Sequence, residues 1–366
     1  MKETLLSFNK KELGEVMAAL GEKSYRAGQV LRAQSSGLCF DEMTELSKPL
    51  RARLKESYGD FPVKIIKTLV SKDGTEKYLF SLADGNVIEG VLMKYKYGNT
   101  LCVSTQVGCR MNCAFCASGI SGLIRNLDAG EILGEVIAVN RRIGGGLGDE
   151  RKVTNVVLMG SGEPLDNYEN TVKFLRLLGE KEGLNMSCRN VSLSTCGLVP
   201  QMRMLAEEGL PVNLTVSLHS PFDGERAKIM PVAKSYSIAE ILDACAYYFS
   251  RTGRRYIFEY VLIGGENADN RHARALIALL KGKPCHVNLI RLNDVKEKGL
   301  KGCSERDARE FLRELTAGGL SATLRRRMGE DIEGACGQLR RRFLSEETGA
   351  DPNEVCAGKT KETGGI

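Results

Sequence analysis

The spacing of apolar residues divides the chain into stretches of different period. Leu13, Val16, Met17 and Leu20 recur at helical spacing, and a second amphipathic stretch surrounds Val30 and Leu31, so residues 10–57 read as short helices. From Lys64 to about Val107 the pattern becomes that of extended chain, punctuated by Asp73-Gly74, Asp84-Gly85 and Gly98-Asn99, each a signal for a tight hairpin turn. A β-meander is expected there. Beyond it, apolar β-rich runs at 100–107, 153–159, 191–195, 213–218, 255–263 and 285–292 alternate with amphipathic stretches, giving six strand–helix units. Asp128 stands ahead of Ile132, Leu133, Val136 and Ile137, and Ser237 ahead of Ile241, Leu242 and Tyr248, so both read as helix N-caps. Right-handed crossovers make such a sheet parallel, which suits a partial barrel or an open doubly wound sheet equally. From about Glu346 apolar residues almost vanish, and residues 346–366 read as a frayed tail that buries too little to order itself.

Composition narrows the class further. With 42% hydrophobic and 27% charged residues in 366, the chain is an ordinary globular one. Glu3, Lys10, Lys11 and Glu12 interrupt the stretch where a signal peptide would be apolar, and no later run could span a bilayer. A cytoplasmic protein with no membrane partner is expected, in which twelve cysteines serve metal binding, catalysis or packing in preference to disulfides. The formal charge is only +6, yet Arg325, Arg326 and Arg327, and again Arg340, Arg341 and Arg342, cluster in a way that suits phosphate contacts or a solvated basic face.

The segment VGCRMNCAFCASG spaces Cys109, Cys113 and Cys116 as Cys-x3-Cys-x2-Cys. A loop this short can converge three thiolates on one inorganic cluster, and the lack of a fourth nearby cysteine leaves one iron open to a non-protein ligand. Structural zinc would want a fourth Cys or His, but the histidines are His219, His272 and His286, none in close sequence pairing with the motif. Gly160-Ser161-Gly162-Glu163, Ser194, Ser217-Leu218-His219 and Asn293 each fall at or just past the carboxyl end of an expected strand, the rim where parallel α/β folds bind ligands. Each alone has a plainer reading as turn, cap or core residue. Gly144-Gly145-Gly146 follows a helix and lacks the Lys-Ser/Thr of a phosphate loop, so it reads as a loop.

The cysteine spacing, with Phe115 just before the last cysteine, resembles the radical S-adenosylmethionine enzymes. Read with FDEMTELSKPLR, IEGVLMKYKYGNTLCVSTQVGCRMNCAFCAS, LMGSGEPLDN, SLHSPFDGERAKIMP, HVNLIRLN and GEDIEGACGQLR, the chain from about residue 10 to 345 is similar to the RlmN/Cfr family. That resemblance implies an α/β fold, a partial (βα)6 TIM-like barrel over residues 99–345, with a helical accessory domain at 1–62 and a β-hairpin or meander extension at 63–98. It also implies a [4Fe-4S] cluster on Cys109, Cys113 and Cys116, and S-adenosylmethionine held by Gly162, Glu163, Ser194, Ser217, Leu218, His219 and Asn293.

The implied reaction methylates a ring carbon of an adenosine in 23S rRNA, and in some members of a tRNA adenosine beside the anticodon. Two molecules of S-adenosylmethionine serve each turnover. One methylates Cys336, the second starts the radical step that joins the methyl carbon to adenine, Glu89 acts as base, and Cys102 displaces Cys336 as a transient disulfide. A reductant such as flavodoxin or ferredoxin and a monomeric enzyme are expected with it. A turn centred on Gly98-Asn99 would place Cys102 opposite Tyr95 and Glu89 opposite Gly108, with Glu89 and Cys102 on one face. Pro164 after Glu163 resembles the RlmN branch, which acts at carbon 2, whereas Ile290-Arg291 resembles the Cfr branch, which acts at carbon 8 and confers antibiotic resistance. From another class, a non-catalytic iron–sulfur RNA-binding protein would need Cys336 and Cys102 only for packing. Cys39, Cys188, Cys196, Cys245, Cys285, Cys303 and Cys356 are left as structural or unexplained.

Overall fold

The computed structural model describes residues 2–293, 299–332 and 343. Cys336, Arg340 to Arg342, Cys356 and the 346–366 tail lie outside the described residues.

Three helices open the chain, α1 (Lys10–Ala19), α2 (Arg26–Ser35) and α3 (Lys48–Ser57). Their apolar stripes converge on a core of their own, where Leu13, Met17, Val30, Phe40, Leu50 and Leu54 are buried together. Asn9 and Glu12 form a capping box at α1, and Ser47 accepts from the Leu50 amide ahead of Pro49 at α3, so both helix starts are written in the local sequence. The module is fastened to the rest by Ser7, whose hydroxyl donates to Asp128 at 3.1 Å and accepts from the Gly130 amide at 3.1 Å, and by the Arg141–Glu42 ion pair at 3.0 Å.

Next come β1 (Val63–Val70), β2 (Glu76–Leu82), β3 (Val87–Tyr95) and β4 (Gly98–Val103), paired antiparallel in succession. A short hairpin of β5 (Gln106–Gly108) and β6 (Leu123–Asn126) brackets the cysteine loop. The alternation then begins: α4 (Ala129–Arg142), β7 (Val153–Leu158), α5 (Tyr168–Leu178), β8 (Val191–Thr195), α6 (Val199–Glu207), β9 (Asn213–Ser217), α7 (Asp223–Ile229), α8 (Ile238–Thr252), β10 (Tyr256–Leu262), α9 (Asn270–Leu280), β11 (Cys285–Arg291), α10 (Glu305–Ala317) and β12 (Ala322–Leu324). Asp128 and Ser237 cap α4 and α8, each in a capping box with a glutamate three residues on.

From β4 onward every pairing in the main sheet is parallel, in the order β4-β7-β8-β9-β10-β11-β12, and the meander extends the same sheet from β4 outward to β1. The sheet curls without closing, with β1 and β12 as its two edges, which is a partial barrel. Strand residues alternate between two environments. Leu101, Val156, Leu193, Val216, Phe258 and Leu289 face the helices in one continuous core, while the opposite parity brings Ser194, Ser217 and Glu259 to the inner side. Gly329 donates its amide to Asp73 at 2.9 Å, and Asp331 accepts from Ser71 at 2.5 Å, so the chain beyond β12 reaches the β1–β2 turn. Among the described residues no helix is long and apolar enough to cross a membrane.

The expected turn at Gly98-Asn99 is corrected. The β3–β4 hairpin turns at Lys96-Tyr97, pairing Tyr95 with Gly98 and Cys102 with Val91, not with Tyr95. Stacked Tyr95 and Tyr97, 4.9 Å between ring centroids, fill the turn without glycine. Gly98 is glycine for another reason: its φ of +136° suits no side chain, and a Cβ there would stand 2.1 Å from the Thr154 hydroxyl on β7. The register moves by an even number of residues, so Glu89 and Cys102 still share a face.

Leu101 is fully buried where meander and barrel meet. Leu101→Ala should lower unfolding stability by about 2–5 kcal/mol, read as a lower urea midpoint, while Lys96→Ala on the exposed turn should change it by less than about 0.5 kcal/mol.

Candidate active site

The carboxyl ends of the parallel strands surround a cavity of about 250 Å³, bordered by Cys109, Cys113 and Cys116 on one side and by Gly162, Glu163, Ser194, Ser217 and His219 on the other. The β5–β6 hairpin presents the cysteines: the Cys109 amide donates to Gly122 at 2.9 Å, and the Ala114 amide donates to Ile229 at the end of α7 at 2.8 Å. Arg110 is ion-paired to Asp166 at 2.9 Å, which holds the loop against the segment after β7. Burial pushes the Cys109 thiol up to about 12 and raises that of Cys113 as well, and the nearby thiols raise both further. Thiols raised in this way are neutral unless a metal supplies the positive charge that ionises them. Among the described residues no three His, Cys, Asp or Glu side chains are arranged for a single metal ion. Three cysteines on one short loop that border a single cavity, neutral without a metal, are a donor set that fits a cluster in which each thiolate meets a different iron.

Gly162 needs its hydrogen atom. Its φ is +109°, and a Cβ would come within 2.7 Å of Thr105 and Gln106, so the chain bends tightly over β5. Glu163 spends its side chain inside the protein, Oε1 accepting from the Leu165 amide at 3.1 Å and Oε2 from the Cys196 amide at 2.8 Å. Burial raises its carboxyl, against the pull of those hydrogen bonds. Ser194 and Ser217 line the cavity floor. Leu218 turns its side chain into the core and donates its amide to the main-chain carbonyl of Glu259 at 3.0 Å, so it meets the cavity through its neighbours only. His219 sits in the left-handed region at φ +59°, stacks edge-on against Phe115 at 4.6 Å, and accepts the Val261 amide on Nδ1 at 3.0 Å. Burial, helped by Arg226, pulls its pKa down to about 3, so the ring is neutral and carries its proton on Nε2.

Asn293 is exposed and borders a second cavity of about 170 Å³, with Cys102, Val91, Met93, Arg291 and the run Arg325, Arg326 and Arg327. Met159, Ile290 and Arg325 belong to the walls of both cavities. Glu89 borders neither. It lies on the face of Cys102 two residues from Val91, buried against Lys77 with 3.1 Å between carboxylate and ammonium. The structure therefore gathers the three cysteines with Gly162, Glu163, Ser194, Ser217 and His219, and sets Cys102 with Asn293 next door.

Three site residues escape a reading by motif, and a fourth, Arg325, is legible only as part of a basic run. Cys196 packs against Cys113 and Met230 beside the cavity. Arg226, fully buried, donates to the carbonyls of Cys196, Ser217 and Leu218. Glu259 and Arg325 border the cavity itself. An acidic residue within the apolar run 255–263 is the one available signal for Glu259, since a charge on a buried strand demands a reason.

An open parallel barrel carrying a three-cysteine loop over its carboxyl rim is the architecture of a radical S-adenosylmethionine enzyme, and residues 103–276 match the Radical SAM superfamily. Residues 4–58 match the ribosomal RNA large subunit methyltransferase N-terminal domain. Proteins called probable dual-specificity RNA methyltransferase RlmN are similar throughout: that of Alkaliphilus oremlandii is 49% identical over 94% of this chain and 99% of its own, and one from Clostridium perfringens is 48% identical over 94% and 99%. A crystal structure of a radical SAM methyltransferase from Sphaerobacter thermophilus superposes with a TM-score of 0.87 at 43% identity, covering 92% of this chain and 98% of that one. The chain belongs to the RlmN family.

Cys109→Ala, Cys113→Ala and Cys116→Ala should each lose iron and sulfide after anaerobic reconstitution with circular dichroism unchanged, whereas Cys188→Ala, buried beside α5, should keep both. His219 gives a pH test. An unfolded histidine protonates near pH 6.5 and the folded one only near 3, so between those values the unfolded state binds the extra proton and stability falls as pH falls. One group contributes a slope of about 1.4 kcal/mol per pH unit. His219→Asn, which tolerates left-handed backbone, should make urea midpoints fall less between pH 6.5 and 4.5 than in the wild type.

Proposed function

We propose that this protein methylates carbon 2 of an adenosine in the peptidyl-transferase centre of 23S rRNA, and the adenosine 3′ of the anticodon in some tRNAs, through a methylated cysteine. The names of the RlmN relatives support RNA as the substrate. The observation that carries the reading is the pair of adjoining cavities, one bordered by the cysteine triad and the other by Cys102 and three arginines, with Met159, Ile290 and Arg325 in both walls. When bound, the cluster and S-adenosylmethionine supply one-electron chemistry able to act on a carbon that is neither nucleophilic nor acidic. The remaining work falls to side chains of this chain.

Arg325, Arg326 and Arg327 offer cationic donors for the phosphates flanking a nucleotide drawn out of its stack, which places its base near Cys102. Cys102 is 5% exposed, on the sheet face that carries Glu89, so thiol and carboxylate reach the same side of β3 and β4. In this reading Cys336 carries the methyl group and Glu89 takes the proton released from adenine. Cys102 then displaces Cys336 from the methyl carbon, forming a disulfide that an external reductant opens. The His219 ring, neutral and braced by Phe115 and the Val261 amide, keeps the rim rigid around the cofactor.

The test is anaerobic reconstitution with iron and sulfide, followed by incubation with S-adenosylmethionine, a reductant and either an rRNA fragment or tRNA. Mass spectrometry of nucleosides should find 2-methyladenosine, and 8-methyladenosine would assign the other carbon. Cys102→Ala should stop after at most one turnover and accumulate a covalent protein–RNA adduct, and Cys336→Ala should form neither product nor adduct. Multiple turnovers by Cys336→Ala would sink the methyl-cysteine route.

A further inference from the structure

Glu259 lies in the middle of β10, in register with Ser217 on β9 and Asn288 on β11. It is 3% exposed and borders the cysteine cavity. Oε1 accepts from the Asn288 amide group at 3.2 Å, while Oε2, also buried, has no hydrogen-bond partner among the described residues. A buried carboxylate oxygen left without a hydrogen-bond donor is costly and rare; the charge of Arg325 on the same cavity wall eases that cost, and the hydrogen bond itself is open to whatever enters the cavity.

Two apolar groups line the cavity: Cys113, Cys116, Cys196 and Met230 pack together, and Val261 and Ile290 pack with Phe115 of the cysteine loop, on the strands that carry Glu259 and Asn288. If the methionine end of S-adenosylmethionine meets the open iron, its nucleoside is left to the rest of the wall, where Ser194, Ser217 and Glu259 border the cavity. Val261 and Ile290 suit the base there, and the ribose brings two hydroxyl donors. A carboxylate accepts ribose hydroxyls in this way in dinucleotide-binding folds.

We propose that Glu259 binds the ribose of S-adenosylmethionine, its Oε2 accepting a hydrogen bond from the 2′- or 3′-hydroxyl. The assignment rests on the proposed cofactor reading of the cavity, which contains no role for this residue. It makes Glu259 a cofactor-binding and positioning residue, holding the nucleoside so that its 5′ carbon stays at the cluster.

The experiment measures binding to the reconstituted holoenzyme by equilibrium dialysis without reductant, so that nothing is consumed. S-adenosylmethionine is compared with its 2′-deoxy and 3′-deoxy analogues in wild type, Glu259→Gln and Glu259→Ala, with iron content and circular dichroism as controls. In wild type one of the analogues should bind about tenfold to a hundredfold more weakly, as expected for a lost hydrogen bond to a charged acceptor. In Glu259→Ala that penalty should shrink to within about twofold, the signature of two groups that act only through each other. Glu259→Gln, which keeps a carbonyl acceptor, should retain part of it. Analogues that bind wild type as tightly as S-adenosylmethionine overturn the assignment even where the variants fail to fold, and so does a full penalty in Glu259→Ala. Failure of S-adenosylmethionine itself to bind reconstituted wild type removes both this assignment and the cofactor reading. Binding without discrimination removes this one alone.

Discussion

Parallel strands that end inside a protein leave carbonyl groups with no partner strand beyond them, and a rim that binds ligands cannot cover those groups with more sheet. At the ends of β8 and β9 the solution is the single guanidinium of Arg226. It is fully buried, donates to Cys196 at 2.6 Å, and reaches Ser217 and Leu218 at 3.2 Å each. Planar and forked, it bonds both strand ends at once, which an ammonium group could not do with the same geometry. The left-handed bend at His219, the engagement of Glu163 by the Cys196 amide and the seat of Cys113 against Cys196 all lie within reach of that one group. Burial costs such a cation much of its hydration, which the converging carbonyl dipoles offset, together with the charge of nearby Asp223.

Much of this was legible in residue order. Helical spacing at Leu13, Val16 and Met17, the caps Asp128 and Ser237, and the six β-rich runs all correspond to elements of the structure, because local period and local capping decide them. The elements that escaped are those decided by tertiary contact. β12 is three residues long and exists because it pairs with β11, and the hairpin turn at Lys96-Tyr97 follows from Gly98 being needed against Thr154.

The site divides along the same line. Cys109, Cys113 and Cys116 are legible because a short loop fixes their nearness, and Gly162, Ser194, Ser217 and His219 because strand ends collect at one rim. Leu218 and Asn293 share those positions without sharing the cavity: one side chain belongs to the core, and the other opens on the arginine-lined neighbour. Arg226 and Glu259 carry no spacing signature, since their partners come from separate strands and helices brought together by the barrel. Glu89 is a third case. Parity correctly set it on the face of Cys102, but nothing in the order of residues announces Lys77 as its buried counter-ion.

The contacts of Gly329 and Asp331 with the β1–β2 turn have a mechanical consequence. They join the two margins of an unclosed sheet through a few polar contacts where a closed barrel would have a ladder of backbone bonds. Burial opposes ionisation of Asp73, yet amides from Gly329 and Thr75 hold its carboxyl well below the ordinary range, so this seam keeps its charge in all but strong acid. The perimeter beside Met328, which lines the Cys102 cavity, is thus held by contacts between side chains and amides, whereas the rim at the ends of β8 and β9 is held by one fully buried guanidinium.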